Sequence, residues 1–347
     1  MARRNSYHDI SLLLLYLLCL AQVALSSSGD RAPEYQQCVT VCQSQACQNE
    51  HSGTLPLALR ITGWTCLDNC KYFCMHRITT EAIQAGTRIH QYHGKWPFWR
   101  FAGMQEPASV AFSVLNLVFH VRGYTQVQER IPETHPMKRY YKLFAVVSMN
   151  AWIWSSVFHT RDLPATEKMD YFSAAMAILF ALFYTVVRLF HLYPQRSPSS
   201  RTHVTERLRI SWAVLCSLAF LGHISYLTLL PRFDYTYNMA FNLVVGLIHN
   251  ILWLLSSLPS SMSIFRRFPA RTRSYRPKYA FKAAIFVLLT TAATALELFD
   301  FPPWRRMVDA HALWHLSTVP IITYWYRFLV QDALDEGWKG PKQELQA

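Results

Sequence analysis

The residues of this chain best suited to chemistry lie in two short stretches that are far apart in the sequence. Ser155 and His159 are four residues apart in NAWIWSSVFHTRD, and Asp170 follows eleven residues after His159. His311 and His315 have the same four-residue spacing in DAHALWHL. Residues four apart share one face of a helix, so each pair should project together. The sequence predicts that the two stretches form the halves of one site.

Three histidines with one open position are typical of a catalytic zinc site, whose bound water ionises near neutral pH. In this interpretation the zinc ligands are His159, His311 and His315. Asp170 would orient or deprotonate the water, and Ser155 would donate a hydrogen bond to a developing oxyanion. A metal-free Ser155–His159–Asp170 triad is the alternative. That alternative leaves the two late histidines without a role.

The composition indicates a membrane protein. Of 347 residues, 52% are hydrophobic and only 16% are charged, against roughly 25% charged residues in soluble proteins. The formal net charge is +13, which by itself would suggest a nucleic-acid partner. The basic residues, however, fall between long apolar segments, as they do in the cytosolic loops of membrane proteins. We therefore predict a membrane-embedded chain with no nucleic-acid partner.

The N-terminus predicts entry into the secretory pathway. Arg3 and Arg4 precede an apolar run over residues 10–25, and small residues, Ser26 to Ser28, follow it. This pattern is typical of a cleavable signal peptide, here residues 1–28. An uncleaved anchor is the alternative. Cleavage near residues 26–29 would place the segment that follows in the lumen.

Residues 29–103 are predicted to form a small Cys-rich luminal domain. Its six cysteines are Cys38, Cys42, Cys47, Cys66, Cys70 and Cys74. Their C-x3-C spacings also suit zinc, but an oxidising lumen favours three disulfides, for which fifteen pairings exist. Recognition of the glycan or of the protein cargo, and simple bracing of the helices, remain alternative roles for this domain.

Residues 104–330 are predicted to be an all-α bundle of seven transmembrane helices. Seven apolar stretches each approach the roughly 20 residues that cross a bilayer. They are residues 106–121, 140–158, 171–190, 210–230, 237–258, 279–296 and 311–329. The loops after the first, third and fifth stretches are the most basic, so the positive-inside rule makes them cytosolic.

This orientation places the N-terminus in the lumen and the tail, residues 331–347, in the cytosol. The polar residues of both stretches then lie at the luminal face. Asp300 and Asp309 lie toward the same face. Each is a candidate partner for a histidine N–H, and loop capping is the alternative role for both.

Several motifs resemble one known family along nearly the whole chain. They include GWTCLDNCKYFCM, HGKWPF, QEPAS, NAWIWSSVFHTRD and DAHALWHLSTVP. The chain resembles the GPI-remodelling phospholipases, the family of post-GPI-attachment to proteins factor three. That family is part of a superfamily of seven-span hydrolases with the alkaline ceramidases and the adiponectin receptors. The superfamily's motif is matched by Ser155, His159, Asp170, His311 and His315.

The resemblance implies a zinc-dependent, GPI-specific phospholipase A-type acyl ester hydrolase. Such an enzyme removes the sn-2 acyl chain from the lipid of GPI-anchored proteins, in the luminal leaflet of the endoplasmic reticulum or Golgi. Because the superfamily also contains receptors, a non-catalytic receptor or chaperone-like factor with a structural metal site is the alternative function.

Overall fold

The computed structural model of the protein describes residues 27–47, 55–194 and 200–339. Within these ranges the chain is helical and forms no β-strand beyond isolated bridges, which confirms the predicted all-α fold. The predicted signal peptide falls almost wholly in residues 1–26, outside the described residues. Residues 340–347 of the predicted tail also lie outside them.

The N-terminal domain is built on two long helices, α1 (Pro33–Ala46) and α2 (Cys66–Gln84), with two short helical turns at Ser28–Arg31 and Leu57–Ile61. Proline at the first position starts α1, and a capping box formed by Thr65 and Asp68 starts α2. Three disulfides join the pair: Cys38–Cys74, Cys42–Cys70 and Cys47–Cys66. Ascending positions on one helix pair with descending positions on the other, so the helices are antiparallel. The three predicted disulfides are confirmed, and they consume the thiolates that a zinc ion here would need.

Each of the seven predicted apolar stretches lies in one long helix. These helices are α3 (Pro107–Arg130), α4 (Lys138–Thr160), α5 (Pro164–Leu189), α6 (Ser200–Leu229), α7 (Tyr235–Ser257), α8 (Phe281–Leu298) and α9 (Ala310–Ala333). Among the described residues, four segments are long and apolar enough to cross a membrane, namely Pro164–Leu189, His203–Leu229, Tyr235–Ser257 and Lys278–Leu296. The remaining three long helices, α3, α4 and α9, carry buried polar residues at the end of the bundle that lies near the disulfide domain. The count of seven spans therefore stays a prediction.

The helices pack in an order that brings the first and last of them together. Helix α3 packs against both α4 and α9. The remaining neighbours are α4 with α5, α5 with α7, α7 with α8, and α8 with α9, which closes a ring of six helices. Helix α6 lies outside this ring, with its main contact on α5. The N-terminal end of α9 thus meets the C-terminal end of α4.

The end of the bundle remote from the disulfide domain has an aromatic core and one buried ion pair. Trp325 stacks on Phe286 with ring centroids 3.9 Å apart and packs edge-on against Trp253. Beside them, Arg188 donates from Nε and Nη2 to the two oxygens of Asp332, at 2.7 and 2.8 Å. This pair fixes α5 to α9.

Candidate metal centre

Two helix ends position the predicted histidines. His159 lies in the last turn of α4, which ends at Thr160. Helix α9 begins at Ala310 and is capped by Asp309, whose Oδ1 accepts a hydrogen bond from the Ala312 N–H at 2.8 Å. His311 and His315 follow on one face of its first two turns. Capping is therefore the observed role of Asp309.

The three histidine side chains converge. His311 Nε2 lies 3.2 Å from His159 Nε2 and 2.9 Å from His315 Nε2. One ligand nitrogen from each ring lies within 4.8 Å of the others. His159 and His315 are buried, whereas His311 is partly exposed. Three imidazole nitrogens directed at one point, with one side open, match the donor set of a catalytic zinc site.

Glu106, directly before α3, holds the first histidine. Its Oε2 lies 2.8 Å from His159 Nδ1, and the carboxyl group is buried. A carboxylate only accepts hydrogen bonds, so Nδ1 carries the proton and donates. The lone pair of His159 is then on Nε2, which faces the other two histidines. A carboxylate on the remote nitrogen is the usual device for fixing a metal-binding imidazole.

Lys95 links this carboxylate to the disulfide domain. Its Nζ contacts Glu106 Oε1 and lies 3.3 Å from Asp162 Oδ2. The ammonium group also lies over the Phe158 ring, 4.1 Å from its centroid. Burial alone would lower the pKa of Lys95, but the carboxylates of Glu106 and Asp162 raise it above its usual value. Lys95 is therefore charged, and it balances the carboxylates beside the histidines.

A chain of hydroxyl groups reaches the third histidine. Ser113 on α3 is fully buried. Its Oγ lies 2.9 Å from His315 Nδ1 and 3.0 Å from Ser155 Oγ. Asn116, one turn further along α3, donates to the His315 carbonyl at 2.7 Å. The predicted Ser155 thus joins the cluster through Ser113 and His315.

Asp170 lies inside α5 rather than at its beginning. The helix starts six residues earlier, at Pro164, because proline is favoured in the first turn of a helix. Ser173, one turn beyond Asp170, accepts a hydrogen bond from Asn150 of α4 at 3.0 Å. The half-buried Asp170 is therefore on the side of α5 that faces α4. The cluster of ligand atoms consists of the three histidines without its carboxylate.

The sequence did not identify which carboxylate would hold a histidine. Asp300, one candidate, instead accepts hydrogen bonds from Trp96 Nε1 at 2.6 Å and Gln91 Nε2 at 2.8 Å. The hydrogen bond to a histidine N–H is made by Glu106 instead. The available signal was its place before Pro107 in QEPAS, since an acidic residue before a helix-starting proline lies at a helix N-terminus.

The chain is similar to one family of proteins along most of its length. Residues 56–333 match the sequence profile described as the Per1-like family. The chain is 41% identical to the GPI-specific phospholipase A2-like PGAP3 of Xenopus laevis over 323 residues, covering 92% of this chain and 94% of that protein. It is 41% identical to the PER1 homolog of Schizosaccharomyces pombe, covering 94% and 93%, and 38% identical to the human PGAP3 protein, covering 92% and 94%. No solved structure is significantly similar to the chain.

Proposed function

Because this chain belongs to the Per1-like family, we propose that it is a membrane-embedded hydrolase that removes an acyl chain from the GPI anchor of GPI-anchored proteins. Relatives that share about 40% of its residues over nearly their full length are named GPI-specific phospholipase A2-like. The observation that carries the proposal is the convergence of His159, His311 and His315 at one end of the bundle.

In this proposal the three histidines hold a zinc ion through Nε2. The donor set fits, because three neutral imidazoles with an open fourth position are the usual protein ligands of a catalytic zinc. When bound there, zinc would supply an ionisable water near neutral pH. Glu106 supports the binding by keeping the proton of His159 on Nδ1. A carboxylate beside His159 Nδ1 is needed for this binding whatever the substrate is.

The direction of the hydrogen bonds assigns Ser155 its role. If His315 binds through Nε2, its Nδ1 carries a proton and donates it to Ser113 Oγ, 2.9 Å away. The Ser113 hydroxyl then donates to Ser155 Oγ at 3.0 Å. The Ser155 hydroxyl is left free to donate outward. A donor aimed at the ester oxygen stabilises the negative charge that develops during hydrolysis.

Asp170 is proposed to accept a proton from the attacking water. Hydrolysis breaks the bond between the acyl carbonyl carbon and the glycerol oxygen, and it releases a fatty acid and a lyso lipid. The proton taken from water must reach the glycerol oxygen as it leaves, and a carboxylate performs both transfers when it lies within reach. The position of Asp170 on the α4-facing side of α5 is consistent with this role. The preference for the sn-2 chain rests on the family resemblance.

We also propose that the seven long helices cross the membrane, with the N-terminus in the lumen and the C-terminus in the cytosol. The parts would be a signal peptide (1–28), the luminal domain (29–103), the hydrolase bundle (104–330) and a cytosolic tail (331–347). The disulfides support this orientation, because they form in the oxidising lumen. Lys95 connects the disulfide domain to Glu106, so the site would face the luminal leaflet of the endoplasmic reticulum or Golgi, where protein-linked GPI lipids reside.

The metal-free triad is less well supported. Both ring nitrogens of His159 are engaged, Nδ1 by Glu106 and Nε2 at 3.2 Å from His311. Ser155 contacts Ser113. A serine nucleophile needs its hydroxyl directly on the histidine base. The non-catalytic receptor or chaperone-like function would keep the metal but make Ser155 and Asp170 dispensable.

The test is a lipid analysis in cells that lack the endogenous protein and express the wild type, Ser155→Ala or Asp170→Ala. The sn-2 chains of purified GPI-anchored proteins would be identified by mass spectrometry. We expect the original chain to persist in both variants, with about a hundredfold or greater loss of turnover. Normal remodelling by both variants at wild-type expression would contradict the assigned roles and favour the non-catalytic function.

A further inference from the structure

Two arginines flank one tryptophan beside the histidine cluster. The Arg100 guanidinium lies 4.3 Å from the Trp64 ring centroid and 3.6 Å from that of Tyr72. The Arg161 guanidinium lies 4.1 Å from Trp64. Arg161 is the C-terminal cap of α4 and comes two residues after His159. The arginine pair therefore lies where the luminal domain meets the end of the bundle that carries the histidines.

The two guanidinium groups are under-neutralised. Arg161 Nη2 pairs with Asp68 Oδ2 at 2.8 Å. Arg100 Nη2 donates to the neutral amide oxygen of Asn69 at 2.6 Å. Within the described residues, Arg100 Nη1 and Arg161 Nε are buried and have no hydrogen-bond partner. Two cations thus share one carboxylate and leave two N–H donors unused, an arrangement that costs free energy unless a ligand completes it.

The Asp68 carboxylate is engaged by Thr65 and Arg161, whereas Arg100 donates to Asn69. Asp68 Oδ2 accepts from the Thr65 backbone N–H at 3.0 Å, from the Thr65 hydroxyl at 2.7 Å and from Arg161 Nη2 at 2.8 Å. The Arg161 side chain is 14% exposed, so it is mostly buried but reaches solvent. A structure-only role, in which the stacked rings merely dock the luminal domain, accounts for the cation–π contacts. It does not account for the unused donors.

We infer that Arg100 and Arg161 bind a phosphodiester, that of the substrate's lipid headgroup, and thereby hold the acyl ester over the histidine cluster. This inference rests on the proposed function, because it takes a phospholipid as the substrate. Guanidinium groups bind phosphate oxygens with paired, charge-assisted hydrogen bonds. In a glycerophospholipid the sn-2 ester and the phosphate are attached to adjacent glycerol carbons. His159 and Arg161 are two residues apart, so both lie at the same end of α4.

The inference is tested by binding, without turnover. Full-length protein in detergent would be titrated with glycerophosphoinositol, with inositol and with inorganic phosphate, and the dissociation constants measured by calorimetry. The variants are Arg100→Gln/Arg161→Gln, the single Arg161→Gln, and Arg100→Lys/Arg161→Lys. Arg88→Gln, an exposed arginine of the same domain, is the matched control. Thermal unfolding and metal content would be recorded for each variant.

We expect glycerophosphoinositol to bind the wild type and the control equally, and inositol to bind neither. The double Gln variant should bind about tenfold or more weakly, the single variant less so, and the Lys variant in between, because lysine keeps the charge but loses the paired geometry. Equal affinity in all variants would overturn the inference, as would failure of the wild type to bind the phosphodiester. Tighter binding of inorganic phosphate than of the phosphodiester would assign the site to free phosphate and would also overturn it.

The single variant and the wild-type titrations decide the question even if the double variant does not fold. Failure of the proposed function has a different signature. Retained remodelling by Ser155→Ala would remove the hydrolase mechanism while leaving the phosphodiester affinity of that variant unchanged.

Discussion

Two buried charged networks occupy opposite ends of the helical bundle, and they differ in what they leave unused. At one end Arg188 and Asp332 face each other in a two-pronged ion pair, and Arg188 Nη1 donates to the Arg267 carbonyl at 2.7 Å. That network is complete among protein atoms. At the other end, Lys95 and Glu106 support His159, and one nitrogen from each of three imidazole rings converges on the same place.

The difference indicates a structural role for the first network and a ligand-binding role for the second. A completed buried pair stabilises one arrangement of helices and offers nothing to a ligand. Three convergent nitrogen acceptors are unfavourable among themselves and become favourable around a cation. The comparison therefore predicts that damage to the first network is measured as lost stability, whereas damage to the second is measured as lost metal and lost turnover.

The largest stability effect is expected from Asp332→Ala. This variant leaves Arg188 as an unpaired buried charge, which typically costs about 3–5 kcal/mol. Thermal denaturation of the purified protein should show a markedly lower midpoint. The exposed neighbour Glu336 supplies the matched control, Glu336→Ala, which should unfold as the wild type does. Equal midpoints for both variants would break the comparison, because the pair would then contribute nothing to stability.

Glu106→Gln should separate metal binding from stability at the other end. The substitution keeps the shape but removes the charge that orients His159. Loss of such a partner usually weakens metal affinity about 10–100-fold. Competition with a chelator measures the affinity, and circular dichroism checks the fold. An unchanged affinity would mean that the carboxylate only anchors the segment around Lys95.

A smaller effect is expected at Ser113, which acts through Ser155. Ser113→Ala interrupts the hydrogen bonds between His315 and Ser155, so kcat should fall about tenfold, the worth of one hydrogen bond. KM, measured with the metal site saturated, should not change. Ser113→Thr keeps the hydroxyl and should restore most of the activity. If the alanine and threonine variants had equal kcat values, the hydroxyl chain would have no part in the reaction.

The smallest effect concerns the pH dependence of the contact between the disulfide domain and the bundle. His76 donates from Nε2 to the Phe98 carbonyl at 3.0 Å, and its Nδ1 faces Arg306 Nη1 at 3.0 Å. Burial lowers its pKa to about 4, and the positive charges of Arg306 and Arg100 act in the same direction. The unfolded chain therefore binds the proton first, so the free energy of unfolding decreases as the pH falls below about 6.5.

The expected loss is about 1 kcal/mol at pH 5.5 relative to neutral pH. Limited proteolysis of the disulfide domain at the two pH values measures it, with His76→Gln as the control that should lack this part of the pH dependence. An identical pH dependence in the control would assign the effect to other groups.

The parts of the site that the sequence predicts are those with a local signal. Four-residue spacing alone brought Ser155 near His159 and His311 next to His315, because a helix imposes it. The two pairs are far apart in the sequence, and a shared depth in the membrane predicts that they meet. The 3.2 Å distance between His159 Nε2 and His311 Nε2, across 152 residues, agrees with that prediction. The helical positions were predictable for the same reason, from runs of apolar residues.

The remaining parts depend on tertiary packing. Ser113 lies 202 residues from His315, and nothing local distinguishes it from other serines in apolar helices. The disulfide pairing follows from the antiparallel packing of α1 and α2, which spacing alone does not choose among fifteen pairings. The apolar pattern predicts the third span only from residue 171, whereas α5 starts at Pro164. The residues between these two positions are mostly polar, although they are part of the helix.

The central claim is that the three-histidine cluster holds a functional metal. The most direct measurement is the metal content of the purified, detergent-solubilised protein beside that of a His311→Ala/His315→Ala variant. We predict about one zinc ion per chain in the wild type and none in a folded variant. A folded wild type that remodels GPI lipids without bound metal, or a variant that retains its metal, would contradict the account.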